Sequence, residues 1–249
     1  MVDAATPLAA LSPSAAAARL DLIEARIVAA CAAAGRARAE VSLVAVSKEQ
    51  PDDAVRAFHA LGVRDFGENK VQALLARAER LADLADVRWH LIGALQTNKA
   101  KDLARAPLAM LHTVDRPELV TALGKRLDAT RPLPCLIQVN IDREPQKAGV
   151  LPEALDPLVE LVLATQCLAL AGLMAIPRPL DESGVAELAA SFEAMRVLGE
   201  RVADRIGRAC VLSMGMSDDF ELAIAHGSTC VRVGSSLFGP RTYKTLNSV

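Results

Sequence analysis

Eight short apolar runs, separated by longer amphipathic segments, constrain this chain more than any other feature of its sequence. The runs span 41–48, 63–67, 87–93, 111–115, 135–141, 168–176, 210–216 and 230–238. Between them, helical spacing of apolar residues marks 52–61, 70–84, 117–128, 152–164 and 182–206. A strand with one wet face alternates apolar and polar residues. A continuous apolar run instead means burial on both faces, as in a parallel sheet covered by helices. Eight such units in 249 residues match the size of a (β/α)8 TIM barrel. On this pattern alone, a doubly wound open sheet is the alternative. Ser12 and Pro13 read as the N-cap and first residue of one more helix, running through Leu20, Ile23 and Ile27 to Gly35. That helix precedes the first strand and can complete the outer ring. Residues 1–12 read as a flexible N-terminus and 13–249 as a single barrel domain.

Composition narrows the class. Hydrophobic residues make up 52% and aromatics only 3%, so Ala, Leu, Val and Ile must build the core. The five cysteines (Cys31, Cys135, Cys167, Cys210 and Cys230) are far apart, with no C-x-x-C pair and no Cys/His cluster at zinc spacing. They read as small buried hydrophobes, and no metal is expected. A formal net charge of -2 lacks the basic excess of a nucleic-acid or polybasic membrane binder. No apolar run approaches the roughly 20 residues of a membrane span. No Lys or Arg precedes Arg19, so no secretory leader is expected. The expectation is a soluble cytoplasmic protein, and a monomer, because no exposed aromatic patch is apparent.

In such a barrel the chemistry sits at the C-terminal ends of the strands. Reading across those ends gives Lys48, then Glu68 and Asn69, His90, Asp115, Asn140, Met174 ahead of Pro177, Ser213 with Ser217, and Gly234-Ser235-Ser236. A lysine partly desolvated at the end of a buried strand tends to a lowered pKa, which frees its amine for Schiff-base chemistry. The alternative for Lys48 is to reach solvent or to pair with Glu68. Residues 213–217 and 232–236 are small-residue turns after strands seven and eight, where backbone N–H groups and serine hydroxyls can cradle a phosphate. Tight turns without a ligand are the alternative. Strand eight neighbours strand one in a closed barrel, so the cradle would lie beside Lys48. An imine-forming amine next to a phosphate site fits pyridoxal 5'-phosphate (PLP), and it also fits a Schiff-base aldolase or isomerase of a sugar phosphate.

Arg232 bears on that choice. Pointing inward, its guanidinium would donate to a pyridine nitrogen and keep it unprotonated, which makes a poorer electron sink. Pointing outward, it would be an ordinary ion pair facing a helix. Racemisation needs acid/base groups on both faces of the substrate carbon. Lys48 can supply one, and the only tyrosine is Tyr243. His90 could be a second base or simply be hydrogen-bonded in place. His59, His112 and His226 show no constellation.

The same residues carry a resemblance over nearly the whole chain. Its segments are Val44-Ala45-Val46-Ser47-Lys48, Phe66-Gly67-Glu68-Asn69, and Trp89-His90-Leu91-Ile92-Gly93 continuing to Lys99. Further segments are Val139-Asn140-Ile141 with Lys147-Ala148-Gly149, Gly172-Leu173-Met174-Ala175-Ile176-Pro177, and the long stretches 212–221 and 227–234. With these the sequence resembles the pyridoxal-phosphate homeostasis protein family, alanine-racemase-like proteins with an isolated barrel.

The resemblance implies a fold-type III PLP barrel without the second domain of alanine racemase. It implies that Lys48 carries the cofactor as an aldimine, that Asn69 lines it, that Ser213, Met214, Gly234 and Ser235 hold the phosphate, and that Arg232 meets the ring nitrogen. It further implies a role in intracellular vitamin B6 and amino-acid homeostasis without turnover, with PLP-dependent apoenzymes as recipients. A PLP-dependent amino-acid racemase and the sugar-phosphate enzyme remain the competing readings. Departures from the family pattern are Leu91 where Phe is frequent, Thr97 where Ser is common, and a variable stretch at 142–146. None touches the lysine or the two phosphate turns.

Overall fold

A computed structural model describes residues 11–239. The expected flexible N-terminus, apart from Leu11 and Ser12, and Tyr243 lie outside the described residues. Eight parallel strands close into a barrel in chain order: β1 (Ser42–Val46), β2 (Asp65–Glu68), β3 (Arg88–Leu91), β4 (Leu108–Val114), β5 (Leu133–Val139), β6 (Leu168–Ala175), β7 (Val211–Ser213) and β8 (Cys230–Val233). The closing pair sets Ser42 beside Cys230 and Ala45 beside Val233, so the open-sheet alternative is excluded.

The helices are α1 (Pro13–Ala33), α2 (Asp52–Ala60), α3 (Val71–Arg80), α4 (Ala100–Leu103), α5 (Pro117–Gly124), α6 (Leu155–Leu163), α7 (Leu180–Ile206), α8 (Phe220–Ala225) and α9 (Ser235–Phe238). In α1 the Ser12 hydroxyl accepts from the Ala15 N–H at 3.2 Å, the N-cap expected from Ser-Pro. Its buried stripe of Ala16, Leu20, Ile23, Ile27 and Cys31 packs on α2, α8 and α9 and fills the gap left by short α8.

The main core is the shell between sheet and helices. Leu43 and Ala45 of β1 belong to it together with Val55 and Phe58 of α2. Val44 is equally buried but faces the other side of the strand, into the lumen. A separate apolar cluster of Leu136, Ala171 and Met174 fills another part of the interior. Four of the cysteines are buried and Cys210 is half-buried; none forms a disulfide. Among the described residues no helix is long and apolar enough to cross a membrane.

Three segments depart from the sequence expectation, each for a local reason. The run 230–238 contains a strand and then the helical turn α9, since continuous apolarity does not separate a buried strand from a buried helix. The run 210–216 keeps only three strand residues. Gly215, at φ 91°, turns the chain where a Cβ would lie 2.7 Å from Ala223 Cβ. The helix expected over 182–206 begins at Leu180 and is interrupted at Gly184, at φ 76°.

Candidate functional site

A cavity of about 510 Å³ opens at the C-terminal mouth of the barrel. Its floor and walls include Val46, Ile92 and Ile176; its polar groups come from the loops after the strands. Lys48 lies two residues beyond β1 and is half-buried at the cavity wall.

The loop that carries Lys48 is fastened from behind by a buried arginine. Arg77 of α3 donates to the Ser47 carbonyl at 2.6 Å and to Glu68 Oε1 at 2.7 Å, and also to the Gln50 carbonyl. It pairs with Asp52, at the start of α2, at 3.1 Å. The Ser47 hydroxyl donates to the same Glu68 oxygen at 2.8 Å. Carbonyls on either side of Lys48 are therefore tied to one guanidinium. Glu49, next in the chain, adopts φ 63°, a conformation unfavourable for a non-glycine residue, which the surrounding bonds enforce. Burial raises the Glu68 carboxyl pKa, against the opposing effects of Arg77 and the Ser47 hydroxyl. The sequence reading missed Arg77. Its signal was an arginine in step with Val71 and Leu74 on the buried stripe of α3.

Arg232 points into the barrel, so the outward ion pair is excluded. Buried on β8, it donates to Ser213 Oγ at 2.6 Å and to the Ala175 carbonyl at 2.9 Å, and it reaches the cavity from below. Burial lowers its pKa, partly offset by Cys230 and Asp219.

Of the seven residues singled out from the sequence, Lys48, Asn69, Arg232, Gly234 and Ser235 line the cavity together. Ser213 and Met214 do not. Ser213 is buried beneath Arg232, its oxygen engaged by that guanidinium and by His112 Nδ1 at 3.0 Å. Met214 is fully buried and its N–H donates to the Cys230 carbonyl at 3.1 Å. The turn after β7 meets the cavity later, at Met216 and Ser217. Strand β7 ends at Ser213, and one more turn of chain is needed before backbone faces the mouth. The N–H groups of Ser217, Asp218, Ser235 and Ser236 donate to no protein acceptor among the described residues. His90 is hydrogen-bonded in place, one of the two readings its sequence allowed, and His112 corrects the reading that gave it no constellation. They form a hydrogen-bonded pair at 2.9 Å inside the barrel, and neither lines the cavity.

Barrel and mouth define a protein of the class described as alanine racemase, N-terminal domain, whose family model matches residues 19–242. Within that class, the chain belongs to the pyridoxal phosphate homeostasis protein family. The protein of that name from Pseudomonas aeruginosa is 45% identical over 222 residues, covering 89% of this chain and 94% of the relative. PipY of Synechococcus elongatus PCC7942, solved with PLP bound, superposes with a TM-score of 0.75 at 34% identity, covering 90% of this chain and all of PipY. Alanine racemase of Corynebacterium glutamicum shares the fold at a TM-score of 0.65 and 19% identity, with 62% of its length matched.

Proposed function

We propose that the chain binds PLP in the mouth cavity, held covalently through Lys48 Nζ, and serves cytoplasmic PLP and amino-acid homeostasis as a monomeric carrier without turnover. The observation that carries this reading is one cavity bringing together an amine, a buried arginine and the backbone N–H groups of Ser217, Asp218 and Ser235, which donate to no protein acceptor among the described residues.

The residues suit the group. Lys48 stands at the wall, and Val46, Ile92 and Ile176 offer apolar surface for a ring. Asn69 lies beside them. Ser217 and Ser235 present N–H groups and hydroxyls for the phosphate, the Ser217 oxygen also accepting from the Gly234 N–H at 3.4 Å, and Gly234 has no Cβ to narrow the space beside Val46. When bound, PLP supplies an aldehyde that condenses with an amine, with loss of one water, and a ring able to act as an electron sink. Arg232 can only donate. An N–H directed at the ring nitrogen leaves that nitrogen without a proton and weakens the sink.

Besides Lys48 and Arg232, the titratable side chains that line the cavity among the described residues are Asp218, in the turn after β7, and Lys147. Lys147 donates to the Ile176 and Pro177 carbonyls at 3.4 and 3.0 Å and pairs with Glu144. The two lumen histidines lie beneath the floor. On this reading PLP-dependent apoenzymes receive the cofactor.

Borohydride reduction followed by peptide mapping tests the assignment. The visible absorption of the PLP-loaded protein should vanish and the added mass should map to the Lys48 peptide. Lys48→Ala should fold but take up no PLP covalently. Covalent PLP in that variant overturns the site. Exchange of the α-proton of L-amino acids in deuterated water, above the rate with PLP alone, overturns the absence of turnover.

A further inference from the structure

Beneath Arg232, polar side chains cross the barrel lumen in single file. Arg232 Nη1 meets Ser213 Oγ at 2.6 Å, and Ser213 Oγ meets His112 Nδ1 at 3.0 Å. His112 Nε2 meets His90 Nδ1 at 2.9 Å, and His90 Nε2 meets Asp65 Oδ1 at 2.9 Å. Asp65 opens β2, at the opposite end of the barrel from the cavity, where Arg88 also binds it. The file draws on five strands, β2, β3 and β4 from one part of the sequence and β7 and β8 from another.

Elementary donor and acceptor rules fix the two ends of this file, and a neutral His112 sets one direction between them. A guanidinium only donates, so Ser213 Oγ accepts from Arg232. For the file to run one way, the Ser213 hydroxyl gives its proton to His112 Nδ1, which is then unprotonated. His112 is neutral at ordinary pH, held well below the usual histidine value by burial first and by its neighbours His90 and Arg232 second. Its one proton therefore sits on Nε2 and is donated to His90 Nδ1. The proton of His90 then occupies Nε2, facing Asp65. Burial pushes the Asp65 carboxyl up, but hydrogen bonds from Arg88 and His90 outweigh this and bring its pKa to about 2, so it is an acceptor only. Every bond points the same way, from the cavity floor to Asp65.

We propose that Asp65, His90, His112 and Ser213 are positioning residues for Arg232, a one-directional hydrogen-bond chain that fixes the guanidinium plane at the cavity floor from the far end of the barrel. With one N–H of Nη1 held by Ser213 and one of Nη2 held by Ala175, the guanidinium cannot rotate, and its remaining donors keep a fixed aim. The chain also explains why Ser213 is unavailable to a phosphate. Only what Arg232 faces, the PLP ring, rests on the function proposed above.

Nitrogen-15 NMR of the apo-protein reads the chain directly. Both His90 and His112 should carry a proton at Nε2 and none at Nδ1, with sharp Arg232 guanidinium resonances. Asp65→Ala should leave His90 in mixed tautomers, broaden the Arg232 signals and weaken PLP binding about fivefold, the effect of one hydrogen bond. Ser213→Ala, a smaller change that keeps the test open if Asp65→Ala does not fold, should broaden Arg232 and weaken PLP equally while His90 is unchanged. A wild-type His112 protonated at Nδ1 overturns the proposal, as do unchanged Arg232 signals and PLP affinity in the variants. If wild-type protein takes up no PLP, the functional reading fails, while the tautomers and the Arg232 signals still decide the chain.

Discussion

Two buried arginines serve the cavity, Arg77 behind the loop that carries Lys48 and Arg232 at the floor, and their surroundings differ. Arg77 is matched by the carboxylates of Glu68 and Asp52 and by two carbonyls of the loop bearing Lys48. Arg232 has a hydroxyl and a carbonyl, and no carboxylate in ion-pair contact among the described residues. Burying a charge is costly unless it is paired. At Arg77 that cost is met within the protein, and the residue locks a loop. At Arg232 it is only partly met, so donors remain directed at the cavity. The same side chain type is thus a clamp on one side and a ligand-facing group on the other.

The contrast predicts very different costs of substitution. Arg77→Met leaves Glu68 buried without its cation and releases the loop around Lys48. Removing one partner of a buried pair typically costs about 3–5 kcal/mol, so urea denaturation should show a loss of that size. Arg77→Met together with Glu68→Gln should recover part of it. A loss no larger than that of a surface substitution would mean that the pair is not what holds the loop.

Acidification separates the two regions by sign. Burial raises the Glu68 carboxyl pKa above 4.5, so the folded state binds this proton more readily. The Arg77 side gains stability as pH falls through the folded value towards 4.5. His112, beneath Arg232, is held well below 6.5, so the unfolded chain takes up the proton first. The Arg232 side loses stability as pH drops below 6.5, by at most about 1.4 kcal/mol per pH unit. Urea titrations at about pH 7.5 and about pH 5.5 should show this loss, and His112→Gln should flatten it. An unflattened loss would assign it to other groups.

Much of this was legible from the sequence, and the boundary of legibility is physical. Eight continuous apolar runs give a covered parallel barrel because periodicity is local and its cause, burial on both faces, is shared by every strand. Lys48, Asn69, Arg232, Gly234 and Ser235 are legible because a barrel brings strand ends to one mouth whatever its details. Ser213 was misplaced by about one turn, since where β7 ends depends on the contact of Gly215 with α8, which no local pattern reports. The His90–His112 pair and the Arg77 clamp depend on the stagger and lateral order of strands and helices. A histidine on each of two apolar strands looks alike in sequence whether or not the rings meet.

The smallest effect on stability tests the comparison most sharply. Arg232→Met replaces a buried cation by an apolar chain of similar length. Ser213 keeps His112 as a partner and loses a donor; the Ala175 carbonyl also loses one. Relief from burying the charge works against these losses, so the net change should stay within about 1 kcal/mol. PLP uptake should nevertheless weaken, since the donors aimed at the cavity are gone, while covalent attachment through Lys48 persists at high PLP concentration. Stability and binding would then come apart at Arg232, whereas at Arg77 they should fall together, because there the same group holds both the fold and the lysine. If Arg232→Met destabilised the protein as much as Arg77→Met, the charge of Arg232 would be fully matched in the fold. Its direction towards the cavity would then reflect packing and not a ligand.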